Sequence, residues 1–396
     1  MGGCGVVNKV RLMNANNDLK PVWKESHSVA KPDADYVYAK PYIYASIDGV
    51  SKLKFLIDTG SSISMLFDTP NVKTLQLTQG YELKVGGFGG HEYSTAFQTE
   101  VNALIVDNIA FDNVNFGYIP LSKTQFFIRP DQAGFDGVIG NDILKGLVWH
   151  FDRDVNQVSV YKQLPESLAD KDPVWVPFDT FFGKISFPVK ITFSDHVLER
   201  DVILDTGSRY HMSINDAYFD GDKVLPSPVI RSAGYSLSGM ALHVKANTPL
   251  VEVGSLTFSN VLTNIIDEEE DDFWTLGSAL LSQYEIIVDY PNMQLGFVTR
   301  EGHTFKSQHN LLGLELRKLQ NGNFIVGYTS PDQPAQALNF SIGTEISSIN
   351  GIKSQEITVD EWLDMASKVG EFEFCLHLRA ECKKVTSNLL PGLSMQ

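Results

Sequence analysis

The chain has 396 residues, 43% of them hydrophobic and 20% charged, which describes a folded globular protein long enough for two or three domains. Its net charge is −16 and no Lys/Arg cluster stands out, so the composition excludes a nucleic-acid partner. No run approaches the roughly 18 apolar residues of a membrane-spanning helix, so no transmembrane segment is expected.

The chain opens on Met1-Gly2-Gly3-Cys4-Gly5. Gly-Gly-Cys reads as the tail of a lipoprotein signal, and lipid on Cys4 would tether the protein outside the cytoplasm. An extracytoplasmic location is therefore preferred to a plain cytoplasmic one. Residues 1–35 are polar and are expected to form a loosely ordered lead-in. The other two cysteines, Cys375 and Cys382, could pair only if a turn brings them together. No cysteine has metal-ligand spacing to a histidine, and neither a metal nor a cofactor is expected.

The apolar run Phe55-Leu56-Ile57 reads as a buried strand and ends on Asp58-Thr59-Gly60-Ser61. Next comes a Gly-rich hairpin signal, Val85-Gly86-Gly87-Phe88-Gly89-Gly90, whose glycines permit positive φ and close backbone approach. It reads as a mobile flap over a cleft. Val138-Ile139-Gly140 follows, and then a short closing strand, Val158 to Tyr161.

The same order then recurs. Val202-Ile203-Leu204 leads into Asp205-Thr206-Gly207-Ser208, and Gly234 to Gly239 is a second glycine-bounded turn, open between a flap and an ordinary loop. Thr275-Leu276-Gly277 matches Val138-Ile139-Gly140, and Leu295 to Val298 closes the copy. One Asp-Thr-Gly means little at a strand-to-turn junction. Two copies in one larger context mark a duplicated domain that brings two carboxylates together across a pseudo-twofold axis.

These paired motifs resemble the pepsin and retropepsin group of aspartic proteases over residues 36 to 300. The absence of cysteine from that region and the short lobes fit a bacterial-type aspartyl protease better than a pepsin. The resemblance implies two mainly β, barrel-like lobes, residues 36–165 and 166–300, forming one cleft for an extended peptide. It implies that Asp58 and Asp205 are the catalytic pair of an aspartic endopeptidase. Thr59 and Thr206 would hold the two loops together. Gly60 and Gly207 would let backbone N–H groups approach the carboxylates, and Ser61 and Ser208 would donate hydroxyl hydrogen bonds to them. Phe88 or Tyr81 would supply the flap's aromatic side chain. Both Asp lie in one chain, so a monomer suffices to build the site. The rival reading is a peptide-binding or scaffold protein that keeps the shape without the catalysis.

Residues 301–396 repeat nothing earlier. Leu311-Leu312-Gly313-Leu314 resembles the carboxylate-binding loop of a PDZ domain, and Ile346-Ser347-Ser348-Ile349-Asn350-Gly351 resembles a later PDZ strand and turn. Apolar Val359, Trp362, Leu363 and Ala366 fall at helical spacing. The resemblance implies a small α+β domain that binds a peptide C-terminus at Leu312, Gly313 and Leu314, as an added strand. The plainer alternative is a β-rich module that only packs on the rest.

Overall fold

The computed structural model describes residues 3–24, 26–88, 92–193, 196–215, 225, 227–266, 274–378 and 381–390, with side chains from residue 7 onward. Gly89, Gly90, the Cys4 side chain and the acidic run 267–272 therefore lie outside the described residues. The fold is mainly β. A nine-stranded sheet carries the first Asp-Thr-Gly motif and an eight-stranded sheet carries the second. A six-stranded sheet joins them, with strand Val148–Asp152 of one half paired antiparallel to Tyr284–Asp289 of the other.

Local chemistry explains the strand breaks. Strands Lys40–Ile47 and Val50–Ile57 meet at Asp48-Gly49, both at positive φ (47° and 86°). This is the backbone a two-residue hairpin with right-twisted strands requires, and Asp-Gly adopts it at little cost. In Val50–Ile57 the last residues are all buried, so this strand runs through the core and delivers Asp58 at its end. One apolar cluster spans both lobes and includes Phe55, Phe116, Trp149, Phe187 and Trp274. The lobes therefore share a continuous core across the joining sheet.

The described residues between 3 and 35 do not form a loose lead-in. Helix Gly3–Ala15 packs on the first lobe, and its Leu12 is fully buried beside Tyr42, Leu56, Ile63 and Met65. The Asn16 side chain then donates to the Asn115 carbonyl (2.8 Å) and to the Asp142 carboxylate (2.7 Å). Short strands Val22–Trp23 and Val29–Ala30 join the first-lobe sheet and the joining sheet. The composition is polar, but a single apolar anchor and buried amide contacts order the segment.

The C-terminal residues form a separate six-stranded sheet with its own core, in which Trp362 meets Phe374 edge-on at 6.0 Å. Helix Val359–Ala366 starts on a reciprocal cap. The Thr358 N–H donates to the Glu361 carboxylate (2.7 Å), and the Glu361 N–H donates to the Thr358 hydroxyl (3.2 Å). Strands Gly370–Leu376 and Cys382–Ser387 place Cys375 directly opposite Cys382, and the two are joined by a disulfide. Among the described residues no helix is long and apolar enough to cross a membrane.

Candidate active site

Asp58 and Asp205 sit at equivalent points of the two lobes. Strand Gly137–Ile139 runs parallel to Val50–Ile57, with Ile139 beside Ile57. Strand Thr275–Gly277 runs parallel to His196–Asp205, with Gly277 beside Asp205. Each hydrophobic-hydrophobic-Gly segment thus lies against the strand that ends on its own lobe's Asp. Gly140 is required there, since a Cβ would lie 2.7 Å from the Ile63 carbonyl oxygen.

The two loops are locked to each other by a symmetric set of hydrogen bonds. The Thr59 hydroxyl donates to the Leu204 carbonyl and the Thr206 hydroxyl to the Ile57 carbonyl, both at 2.7 Å. In return, the Thr59 N–H donates to the Thr206 hydroxyl and the Thr206 N–H to the Thr59 hydroxyl, both at 3.1 Å. Both threonines are buried, so each of these donors would be costly to leave unpaired.

The carboxylates receive backbone donors. The Gly60 N–H donates to Asp58 Oδ1 at 2.8 Å, and the Gly207 and Ser208 amides donate to Asp205. The hydroxyl of Ser61 does something other than expected. Ser61 Oγ donates to the Ile63 carbonyl (2.7 Å), and Ser208 Oγ accepts from the Tyr210 N–H (3.3 Å). The Ser61 hydroxyl proton is thus taken by a local carbonyl, which competes with its reaching the carboxylate.

Burial, and next the neighbouring Asp205, push the Asp58 carboxyl up; burial likewise pushes Asp205 up. The backbone donors and Lys184 and Lys40 pull back against this rise. Two carboxyls in such a setting share one proton and titrate as a unit. The pair therefore offers an acid and a base at the same point.

The dyad opens into a cavity of about 900 Å³. Gly86, Gly87 and Phe88 of the first hairpin line it, as do Tyr235, Ser236, Leu237 and Ser238 of the second. Gly87 and Phe88 of the first hairpin touch the second. The Gly87 N–H donates to Ser238 Oγ (2.8 Å), and Ser236 Oγ donates to the Phe88 carbonyl (2.9 Å). Gly234 and Gly239 bound a second hairpin, Ile230–Ser236 with Gly239–Val253, that reaches the first hairpin's tip. Phe88 lies against Tyr210 (6.2 Å), whereas Tyr81 lies under the Arg11 guanidinium (4.4 Å), outside the cavity lining.

Residues 43–143 match the aspartyl protease family. No curated protein sequence matches the chain. Among solved structures, the aspartic proteinase from Irpex lacteus is similar, with a TM-score of 0.47 and 13% identity, covering 69% of this chain and 98% of that one. The first lobe is thus similar in sequence to that family, and the fold as a whole is mainly β.

Several site residues escaped the sequence reading. Asn141 Nδ2 donates to the carbonyls of Thr59 (2.6 Å) and Ser61 (2.8 Å), and Asn141 Oδ1 accepts from the Tyr290 hydroxyl. Ser278 Oγ donates to the Thr206 carbonyl (2.7 Å). Each brace directly follows a hydrophobic-hydrophobic-Gly motif, a shared position that was available as a signal. The C-terminal unit also reaches the site. Its Glu315 pairs with Arg209 (2.9 Å), next to Ser208, and with Lys245 (2.8 Å) on the second hairpin. Burial would raise the Glu315 carboxyl, but Lys245 and Arg209 outweigh it and hold the group well below the usual carboxylate range.

At the loop Leu312-Gly313-Leu314, the N–H groups of Leu312 (3.1 Å) and Gly313 (3.0 Å) donate to Asn310 Oδ1. The Tyr38 hydroxyl donates to the Leu316 carbonyl (3.1 Å). A peptide carboxylate at this loop would have to displace the Asn310 side chain.

Proposed function

We propose that the protein is an aspartic endopeptidase in which Asp58 and Asp205 share one proton and activate a water between them. The observation that carries this reading is the reciprocal lock of Thr59 and Thr206. It holds both carboxylates at one wall of a peptide-sized cleft. The ionised carboxylate takes a proton from the water as its oxygen attacks the scissile carbonyl carbon. The protonated partner gives its proton to the carbonyl oxygen as charge develops there. Collapse of the resulting gem-diol returns a proton from its hydroxyl to the dyad. The C–N bond breaks, and the leaving nitrogen takes a proton. No acyl-enzyme forms. The substrate is an extended peptide or an unfolded segment, admitted when the two hairpin tips separate.

The C-terminal unit is read as a PDZ-like regulatory domain. Its strand residue Gly327 accepts from the Tyr235 hydroxyl (2.9 Å) on the second hairpin, and Glu315 grips the same hairpin through Lys245. Motion of this domain is therefore coupled to the lid of the cleft.

Cleavage of an unfolded protein across acidic to neutral pH, with and without pepstatin, tests the assignment. Asp205→Asn is expected to fold and to lose turnover. Turnover retained in purified Asp205→Asn would refute the dyad.

A further inference from the structure

The two dyad loops are built alike, so a position in one has a counterpart in the other. Ile63 and Tyr210 are such a pair, each five residues past its lobe's Asp. Their backbones do the same work. A Cβ on Gly140 would lie 2.7 Å from the Ile63 carbonyl oxygen, and a Cβ on Gly277 would collide in the same way with that of Tyr210. Their side chains do different work. Ile63 is buried in the apolar cluster of Leu12, Leu56 and Met65. Tyr210 is only partly buried, and it joins none of the apolar clusters among the described residues.

The Tyr210 ring goes instead to the two hairpins. Phe88 of the first hairpin stands edge-on to it at 6.2 Å, and His243 of the second stands edge-on at 5.7 Å. Gly234, on the strand paired with that of His243, has no side chain to keep the rings off. A Cβ there would lie 2.7 Å from the Tyr210 hydroxyl oxygen and 3.3 Å from carbons of the Phe88 ring. Both rings therefore rest on one stretch of bare backbone. The Arg209 guanidinium and the Lys245 ammonium lie 5.0 Å and 5.7 Å from the Tyr210 ring centre, and Glu315 of the C-terminal unit pairs with both. The backbone of Tyr210 is fixed within the second dyad loop. Its N–H donates to Ser208 Oγ (3.3 Å), and its carbonyl accepts from the Ala279 N–H (3.3 Å). Phe88 lines the cavity and Tyr210 does not, so Tyr210 acts on a bound peptide through Phe88.

We propose that Tyr210 is a positioning residue, which seats both hairpins over the dyad and ties their closure to the loop that carries Asp205. This rests on the endopeptidase reading. A peptide under closed hairpins is shielded from water and kept against the dyad. An edge-on aromatic pair is worth only a few-fold in an equilibrium. It therefore breaks to admit a peptide and re-forms once the peptide is bound. The duplication provides this device in one lobe, since the Ile63 side chain is taken up by the core.

The test uses the full chain and compares Tyr210→Leu, Tyr210→Phe, Phe88→Leu and the double leucine variant in peptide cleavage. Rates are expressed per folded chain, taken from the amplitude of thermal unfolding, so misfolded protein does not count. In Tyr210→Leu, kcat is expected to fall roughly three- to tenfold with little change in KM, the range of one aromatic pair. Tyr210→Phe keeps the ring and is expected to stay within about twofold of wild type. The double variant is expected to be no slower than the slower single one, because both residues act through one contact. Wild-type kcat in Tyr210→Leu overturns the inference and leaves the endopeptidase reading intact. So do single losses that multiply in the double variant, or a loss in Tyr210→Phe equal to that in Tyr210→Leu. If the wild type cleaves nothing, the endopeptidase reading falls, and hydrogen exchange decides the inference instead. Tyr210→Leu is then expected to raise exchange about threefold or more in strand Glu82–Val85 and residues 86–88 of the other lobe, with strand Val50–Ile57 unchanged. Unchanged exchange in the first hairpin overturns it.

Discussion

The backbone of Gly60 lies against the carboxyl group of Asp205, so closely that a Cβ there would stand 2.6 Å from the Asp205 Cγ. Gly207 has the same relation to Asp58. Each loop thus carries one carboxylate and leaves room for the other, and this mutual fit sets the spacing of the pair. Gly60→Ala inserts a methyl group where only a hydrogen fits. Overpacking of this kind costs about 1–3 kcal/mol, and displacing a catalytic group by about 1 Å costs on the order of 100-fold in rate. The expected result is a modestly lower Tm with kcat/KM down by about two orders of magnitude, measured by thermal melts and peptide cleavage. Wild-type kcat/KM in Gly60→Ala would show that the carboxylates tolerate separation.

The stability of the fold is expected to pass through a maximum between acid and alkaline pH. Burial, and after it repulsion by charged neighbours, lowers His211 and His309 to about 4 and His243 to about 3, from an ordinary 6.5. A histidine depressed in the folded state stabilises fully above pH 6.5, and that contribution is lost as pH falls toward these values. The dyad has the opposite sign. Its carboxyls are raised by burial, so their contribution is whole in acid and is lost as pH climbs through the raised values. Melting curves from pH 4 to 8 should therefore show Tm falling at both ends. His243→Phe should lessen the acid fall, and Asp205→Asn should lessen the fall at high pH. Parallel Tm profiles for all three proteins would contradict this account.

Much of the site could be read from the sequence because the duplication repeats residue types. Asp58-Thr59-Gly60-Ser61 and Asp205-Thr206-Gly207-Ser208 are the same four letters. The braces Asn141 and Ser278 share a position and a task but not a chemistry, so a search by residue type passes over them. Lys40 and Lys184 follow turns with no common sequence, Tyr38-Ala39 and Phe182-Gly183, and their equivalence appears only in the strand register. Glu315 owes its role to Arg209 and Lys245, far away along the chain, and no local pattern announces such a pairing. The helix Gly3–Ala15 was missed because its amphipathic signal is slight, and the pocket that receives Leu12 supplies its order.

Glu315 is one of the residues by which the C-terminal unit holds the second lobe. It is buried, accepts from Arg209, Lys245 and Ser232, and has its charge balanced by the two cations Arg209 and Lys245. Glu315→Gln removes that balance and leaves two partly buried cations facing a neutral amide. Breaking such a pair costs about 3–5 kcal/mol. Hydrogen exchange is expected to rise in strands Leu314–Lys318 and Ile230–Ser236 together, since each loses its partner. Because the group is held below its ordinary range, the wild-type contribution is complete above pH 4.5 and declines only in stronger acid. Unchanged exchange in both strands would mean that the domain is held by its other contacts.

Arg317 ties three parts of the molecule at the rim of the cleft. Its guanidinium lies 5.0 Å from the ring centre of Phe126 in the first lobe and 4.6 Å from that of Tyr235 on the second hairpin. It also donates to the Phe126 carbonyl at 2.9 Å. Both rings line the cavity, so a side chain of the C-terminal unit sets the position of two walls that a bound peptide would touch. Each cation–π contact contributes about 0.5–2 kcal/mol. Arg317→Ala removes both, together with the hydrogen bond, while leaving the dyad loops and their threonine lock untouched. If the walls matter for holding the peptide, KM rises several-fold while kcat changes little, because ground-state and transition-state binding are lost together. If the same contact restrains the hairpin as a lid, kcat rises instead, because opening has become easier. Steady-state kinetics of Arg317→Ala beside Arg317→Lys separates the two. Lysine retains a cation over the rings but cannot reproduce the planar stacking, so it should restore KM only in part. Identical kinetics in all three proteins would show that Arg317 has no hold on the cleft.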